Sequence, residues 1–324
     1  MAEPVAPFFS VVIPVYNRAK DLGRALLSVL SQTCQDFEIV VVDDGSQDNP
    51  KAVVDVLNEP RIHFVRQRNR GGGVARNTGI DVARGQFIAF LDSDDVFLPH
   101  HLANMKALLE GTQNIAGYAR MVVDRGNGRV ITKPPRAIRP DEHMATYLLC
   151  DRGFVPTITL AVPAAMAKVL RYHESLRVAE DTDFAVRLFL AGCEFRMIET
   201  PGAIWNDHYN PHRTSAGRKG ARLLPWVEQM KSRIPPRAYH GARGWAVAKG
   251  VAVESKFWAL RLYLNAVLRG CYRPRLAVII FLQIFLSNSA YRKLADTSIG
   301  WLKLSPVAKD APAKPPASTA KPAC

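Results

Sequence analysis

Residues 88–95, Ile-Ala-Phe-Leu-Asp-Ser-Asp-Asp, set three carboxylates, Asp92, Asp94 and Asp95, at the end of an apolar run. A buried strand of an open α/β sheet turns outward at its carboxyl end, so acids gathered there face a crevice and not the core. Three like charges within four residues repel one another, and a bound divalent cation would offset that repulsion. The same residues also suit an acidic turn ahead of a helix starting near Pro99, because Asp and Ser favour turns and N-caps. A second acidic pair, Glu180 and Asp181, precedes the apolar positions Phe184, Leu188 and Phe189 and so opens a helix. Acids in a first turn stabilise the helix dipole whatever else they do.

The elements that must carry these groups alternate strand and helix. Phe8–Tyr16 is a nearly continuous apolar run, followed by Ala19–Gln32 with Leu22, Leu26, Val29 and Leu30 at helical spacing. Phe37–Val42, Ile62–Val65 and Gln86–Leu91 read as further strands, with helices over Asp48–Asn58 and Gly73–Ala83 between them. Strands this apolar imply a parallel sheet covered on both faces, and right-handed crossovers put all their carboxyl ends on one edge. Tyr16 to Arg18, Asp43 and Asp44, Arg66 to Gly73, and Asp92 to Asp95 then converge on one crevice. The run Gly71-Gly72-Gly73 before a helix offers unhindered amides to a phosphate, with Arg68, Arg70 and Arg76 nearby. Opposite a carboxylate cluster, such a loop suits a diphosphate held by amides, arginines and a metal.

Five segments carry a resemblance. Ile13-Pro14-Val15-Tyr16-Asn17, Val41-Val42-Asp43-Asp44-Gly45-Ser46, Asn69-Arg70-Gly71, Ala75-Arg76-Asn77-Thr78-Gly79 and Phe90-Leu91-Asp92-Ser93-Asp94-Asp95 resemble, in order and spacing, the family 2 glycosyltransferases of GT-A fold. The resemblance implies a nucleotide-sugar donor. Pro14, Tyr16 and Asp43 would lie near base and ribose, within a donor-binding set that also holds Asn17, Asp44, Gly71, Arg76 and Asp92. Asp92 and Asp94 would form the DxD pair that binds Mg²⁺ or Mn²⁺ on the diphosphate, with Asp95 a further metal candidate. Arg76 and Asn77, which the family places at a helix start, would brace the loop.

Inverting transfer is a direct displacement, so a carboxylate away from the metal acids must take the proton of the attacking hydroxyl. Glu180-Asp181 resembles the family's Glu-Asp motif, which implies Asp181 as general base and Glu180 as its neighbour. His212, three residues before Ser215, fits a looser His-x-x-Ser segment and is a weaker metal candidate; a solvated loop histidine is the other reading. Asp43 favours a UDP-sugar, although GDP and dTDP donors also occur in the family.

The expected fold is therefore α/β, a Rossmann-like and mainly parallel GT-A sheet flanked by helices, with a C-terminal helical extension. Residues 1–215 form the transferase domain, its donor half about 8–112 and its acceptor half about 113–215. In the acceptor half, Tyr118–Lys133 reads as a hairpin turning at Gly126-Asn127-Gly128, and Val155–Val162 as a strand. Residues 216–304 are a basic helical extension with helices over 222–233 and 238–269, and 305–324 are a disordered tail rich in Pro, Ala and Lys.

Charge points to a second partner. Of a net +14, residues 201–324 hold 20 Lys and Arg against 5 Asp and Glu, whereas residues 1–200 are balanced at 23 against 24. Leu276–Leu286 is an apolar run flanked by Arg273, Arg275, Arg292 and Lys293. It is short of the roughly 20 residues a span needs, so it either lies in a membrane interface or packs on the domain. The five cysteines, Cys34, Cys150, Cys193, Cys271 and Cys324, include no CxxC, and the start of the chain has no secretory pattern. These features lead to the expectation of a cytoplasmic protein, peripheral on the inner membrane face, that glycosylates a lipid-linked or polysaccharide acceptor.

Two rivals remain at this stage. A sugar-phosphate nucleotidyltransferase would need a Gly-rich signature after the first strand, which Ile13-Pro14-Val15-Tyr16-Asn17 lacks. A non-catalytic membrane or nucleic-acid binder on the same fold would leave the acids dispensable.

Overall fold

The computed structural model describes residues 6–125, 130–176, 178–207, 222–287 and 290–291. Its first half is the expected alternation: β1 (Phe9–Val15), α1 (Ala19–Leu30), β2 (Phe37–Asp43), α2 (Pro50–Leu57), β3 (Ile62–Arg66), α3 (Gly72–Val82) and β4 (Phe87–Phe90). β1 pairs in parallel with β2 and β4, and β2 with β3. Both faces of these strands are apolar because both are covered. Val11, Ile13 and Val15 of β1 pack with Leu22, Leu26 and Val29 of α1, while Val12 packs on the opposite side with Ala75 and Ile80 of α3. Burying each such side chain contributes roughly 1.5–3 kcal/mol. Gly79 lets α3 lie against β1: a Cβ there would come 2.4 Å from Val12 Cγ1. That close approach brings the start of α3 to the carboxyl edge of the sheet.

The sheet continues through the second half. β5 (Val96–Phe97), α4 (His101–Leu109), β6 (Ile115–Asp124), β7 (Val130–Lys133), α5 (Met144–Cys150), β8 (Ala161–Pro163), α6 (Ala164–Leu170), α7 (Glu180–Leu190) and β9 (Glu194–Asn206) follow. The strand order is β3-β2-β1-β4-β8-β6-β9-β5, with β7 on β6. β8 runs antiparallel to β4 and to β6, and β9 runs parallel to β6. β6 and β7 pair antiparallel as the hairpin reading requires, although its Gly126–Gly128 turn lies outside the described residues.

Val155–Val162 is not one strand. A 3₁₀ turn over Thr157–Thr159 precedes β8. Thr159 Oγ1 donates to the Ala119 carbonyl (2.8 Å) and accepts from its N–H (3.2 Å), so a side chain replaces the ladder that a strand would have formed.

The two long helices expected after residue 222 are broken into α8 (Leu224–Gln229), α9 (Pro236–Ala242), α10 (Ala248–Val251) and α11 (Lys256–Leu268), with a wider π turn over Arg243–Val247. The chain leaves the helix after Val251, and Ser255 caps the next one, its hydroxyl accepting from Trp258 N–H at 3.2 Å. The apolar run forms α12 (Pro274–Phe285), which buries Leu276, Ala277, Ile280 and Ile284. α8 to α12 share one apolar cluster with α5 to α7 and with one face of the sheet. Among the described residues no helix is long and apolar enough to cross a membrane. The tail at 305–324, Arg292 and Lys293 lie outside the described residues.

Candidate active site

The carboxyl ends of β1, β2 and β4 open into a cleft of about 830 Å³, lined on one side by Pro14 to Arg18, Asp44, Asn69 to Arg76 and Asp92 to Asp95. Its other side is formed by Phe154, Thr157, Ile158, Trp205 and the stretch from Val178 to Asp181. Residues 14 and 181 thus meet across one space. Parallel pairing alone aligns the first set; the second arrives because β8, β6 and β9 extend the same sheet.

The β1 end is held by the turn after β2. Asn17 adopts a left-handed φ of 50°, its N–H donates to Ser46 Oγ at 3.0 Å, and its Oδ1 accepts from Gln47 N–H at 2.8 Å. Pro14 and the half-exposed Tyr16 are thereby presented to the cleft. Asp43 lies beneath that floor and does not line the cleft itself. Its Oδ1 accepts from Ser46 N–H at 2.8 Å, while Oδ2 is buried without a hydrogen bond, 3.4 Å from Arg66 Nε. Arg66 is therefore the charge partner of that oxygen.

Asp44 organises the glycine loop. It accepts from Gln67 Nε2 (2.7 Å), Arg70 N–H (2.8 Å) and Gly71 N–H (2.8 Å). The Gly71 amide, expected to meet a phosphate, is therefore engaged by Asp44. The amides of Gly72 and Gly73, in the first turn of α3 and on the cleft wall, have no partner within the helix. Gly71 itself sits at φ 92°, a conformation that strains any residue with a Cβ.

Arg76 joins the two acidic groups. It is 8% exposed and donates through Nη2 to Asp92 Oδ1 at 2.6 Å, with Nη1 3.9 Å from Glu180 Oε1. Burial works against its charge, but Asp92, Tyr172 and Glu180 more than compensate, and its pKa is raised. The guanidinium rests over the Tyr172 ring. Asn77 fixes this floor by clasping the Tyr172 backbone, donating to its carbonyl at 2.9 Å and accepting from its N–H at 2.7 Å. Asn77 thus ties α3 to Tyr172, and Arg76 spans the cleft.

The three acids after β4 diverge. Asp92 is open to the cleft, Asp94 is paired with Arg18, and Asp95 is 2% exposed with Oδ1 accepting from Asn206 N–H at 2.8 Å. Asp95 thus ties the loop to the end of β9. Among the described residues no three His, Cys, Asp or Glu side chains gather as a metal cluster. Two carboxylates on one cleft wall still suit a hard cation such as Mg²⁺, which takes one or two protein carboxylates and completes its shell with substrate phosphates and water. His212, and His208 beside it, lie outside the described residues.

Glu180 and Asp181 open α7 half-buried at the cleft. Asp181 Oδ1 accepts from its neighbour Thr182, at 2.7 Å from N–H and 3.4 Å from Oγ1. Burial raises the pKa of Asp181 above the ordinary carboxylate value, against the pull of the Thr182 hydrogen bond and of Arg76. Burial, then the charge of Asp181, does the same for Glu180. A carboxylate so raised is a stronger base than one in water.

Sequence reasoning brought Arg18 to the crevice without a role and missed Tyr172 and Asp183. Arg18 pairs with Asp94, Tyr172 underlies Arg76, and Asp183 is buried, accepting from Trp226 Nε1 and Arg187 Nε, each at 2.7 Å. Arg18 had a signal in its place directly after the β1 end; Tyr172 had none, and Asp183 had only its i,i+4 neighbour Arg187, because Trp226 is remote in sequence.

The family assignment follows from this fold and from comparison with known proteins. Residues 10–157 match the glycosyl transferase family 2 model. The chain is 30% identical over 203 residues to an uncharacterized glycosyltransferase of Methanocaldococcus jannaschii, covering 60% of this chain and 68% of that relative. It is 28% identical over 261 residues to the amylovoran biosynthesis glycosyltransferase AmsB of Erwinia amylovora, covering 76% and 86%. Residues 1–349 of S. aureus TarS, in complex with UDP-GlcNAc, superpose with a TM-score of 0.64 at 19% identity, covering 90% of this chain and 92% of that one. The mannosyltransferase PcManGT of Pyrobaculum calidifontis, in complex with GDP-Man and Mn²⁺, superposes with a TM-score of 0.54 at 18% identity, covering 91% and 88%. The chain belongs to glycosyl transferase family 2, and its fold is that of the GT-A glycosyltransferases.

Proposed function

We propose that the protein is an inverting glycosyltransferase that moves a hexosyl or N-acetylhexosaminyl group from a nucleotide sugar, with UDP the favoured carrier, to a hydroxyl of a lipid-linked or polysaccharide acceptor. One observation carries this reading: Asp92 and Asp94 from the end of β4 and Glu180 and Asp181 from the start of α7 face one cleft, with Arg76 between them. The relative AmsB, from amylovoran biosynthesis, supports a glycan-building role, and the nucleotide sugars bound to TarS and PcManGT support the donor class.

In this reading the donor base packs against Pro14 and Tyr16, above the turn that Asp43 holds from beneath. The diphosphate lies between the Gly72 and Gly73 amides and the acids after β4. Asp92 and Asp94 would hold a divalent cation there, as the Mn²⁺ of PcManGT supports. Such an ion, when bound, neutralises charge that develops on the leaving diphosphate. Asp181 takes the proton of the acceptor hydroxyl as that oxygen attacks the anomeric carbon from the face opposite the diphosphate. Phe154 and Trp205 offer apolar faces on which an acceptor sugar ring can stack. Acceptor access from a membrane suits a protein docked at the cytoplasmic face.

The test is calorimetry of UDP and UDP-sugars with and without Mn²⁺. Wild type should bind in a Mn²⁺-dependent way, and Asp94→Asn should lose that dependence. Unchanged Mn²⁺-dependent affinity in Asp94→Asn would reject the metal role, and binding of no nucleotide sugar across UDP, GDP and dTDP donors would reject the donor assignment.

A further inference from the structure

α12 has most of its apolar side in the core, and among the described residues after 222 the exposed large apolar side chains lie mostly on α11. Phe257, Arg261, Leu264, Asn265 and Leu268 recur at helical spacing and form one outward stripe. Phe257 is 79% exposed, Leu264 45% and Leu268 86%. Val278 and Phe281 of α12 are also exposed, and the Phe281 ring lies 5.6 Å from that of Tyr263 on α11, so the two helices adjoin.

The charges around this stripe are of one sign. Lys256, Arg261, Arg269, Arg273 and Arg275 are all exposed, and the sequence holds no Asp or Glu between Glu254 and Asp296. Among the described residues none of the five is ion-paired. A basic helix face carrying Phe and Leu has the composition of an interfacial helix, whose apolar side chains enter the headgroup boundary while cations meet lipid phosphates.

Charge decides among occupants. A second copy packed face to face would set Arg261 against its own equivalent, with no carboxylate on either stripe to compensate. A polynucleotide would leave Leu264, Leu268 and Val278 without a partner.

We propose that the outward stripe of α11, with the adjoining turn of α12, docks this protein on an anionic lipid bilayer. The proposal rests on the membrane part of the functional reading and is separable from the donor chemistry. Of the run at 276–286, the exposed Val278 and Phe281 join this surface, whereas Leu276, Ala277, Ile280 and Ile284 are core. α11 shares its apolar cluster with Phe184 of α7, so docking also orients the cleft relative to the surface.

The experiment is flotation of the full chain with phosphatidylglycerol–phosphatidylcholine vesicles and with phosphatidylcholine alone. Wild type should float with the anionic vesicles, and Phe257→Ser/Leu264→Ser/Leu268→Ser should partition about tenfold less or weaker still. Arg261→Gln should weaken binding and flatten its salt dependence. The triple variant replaces exposed side chains only, so its melting temperature and Mn²⁺-dependent UDP binding should match wild type. Wild-type flotation by the folded triple variant would overturn the proposal. So would a concentration-dependent dimer, measured by light scattering, that the triple variant abolishes, because the stripe would then be a self-interface.

Discussion

The candidate base is defined by an electrostatic conflict at one carboxyl group. Asp181 is pushed up by burial, with Arg76 and the Thr182 N–H partly restoring its charge. A carboxyl group whose folded pKa exceeds its unfolded value destabilises the fold once it is ionised. That cost is absent below the ordinary carboxylate range and grows as pH rises through the folded value. Asp181→Asn should therefore melt at the same or a higher temperature than wild type at neutral pH while turnover falls about a hundredfold or more and UDP-sugar binding persists. Calorimetry and a radiolabelled transfer assay together check this, and turnover that survives would move the base elsewhere. In wild type the acid limb of kcat/KM should lie above the ordinary carboxylate range. A limb at the ordinary value would show that the raised group is not the one that titrates.

At the scale of elements, two buried carboxylates hold pieces of the scaffold in register. Asp183, on α7, receives Trp226 of α8 and Arg187, so that the helix bearing Glu180 and Asp181 is fastened to the extension. Asp183→Ala leaves the Trp226 indole N–H without an acceptor and Arg187 without its carboxylate, although the guanidinium keeps the Leu170 and Arg171 carbonyls, which should cost about 1–3 kcal/mol in urea unfolding. A loss below about 1 kcal/mol would mean that water fills the gap. At the amino edge of the sheet, Glu38 accepts from Ser10 Oγ (2.6 Å), Arg84 N–H (2.7 Å) and Arg84 Nε (2.8 Å). Burial acts to raise its pKa, but these donors prevail and hold it below the usual value. A lowered carboxyl stabilises the fold above its unfolded pKa, and that contribution is lost as pH falls through the folded value. Glu38→Gln should flatten the acid limb of stability at pH below about 4.3, the ordinary Glu value, read from urea midpoints. An unchanged limb would assign acid sensitivity to other carboxylates.

For the whole molecule, the expected division at residue 215 meets a continuous core. Trp226, Val227, Tyr239, Ala242, Ala259 and Ile280 belong to the same apolar cluster as Tyr147, Cys150 and Phe184. Unfolding by urea should be one transition by fluorescence and circular dichroism alike, and a chain ending at 215 should fail to fold. Two separated transitions would restore an independent extension.

The sequence was most informative where structure is local or repeats along the chain. The β1 to β4 strands, the three helices between them and the placing of Tyr16, Asp44, Gly71 and Asp92 at one sheet edge were readable, because apolar periodicity and parallel crossovers leave few alternatives. The start of α7 was readable for the same reason. Residues 155–162 were not, because Thr159 satisfies Ala119 through a side chain forty positions away. Nor was the difference among the three acids: Asp92, Asp94 and Asp95 look equivalent in sequence, yet Arg76, Arg18 and the Asn206 amide give each a different neighbour. The amino-acid order by itself determined the sheet, its functional edge and the basic excess of the last third, since these follow from hydrophobic period and charge. Only the tertiary structure decided which side chains bridge the cleft and which side of α11 and α12 stays uncovered, because burial and pairing depend on residues that meet only when the chain is folded.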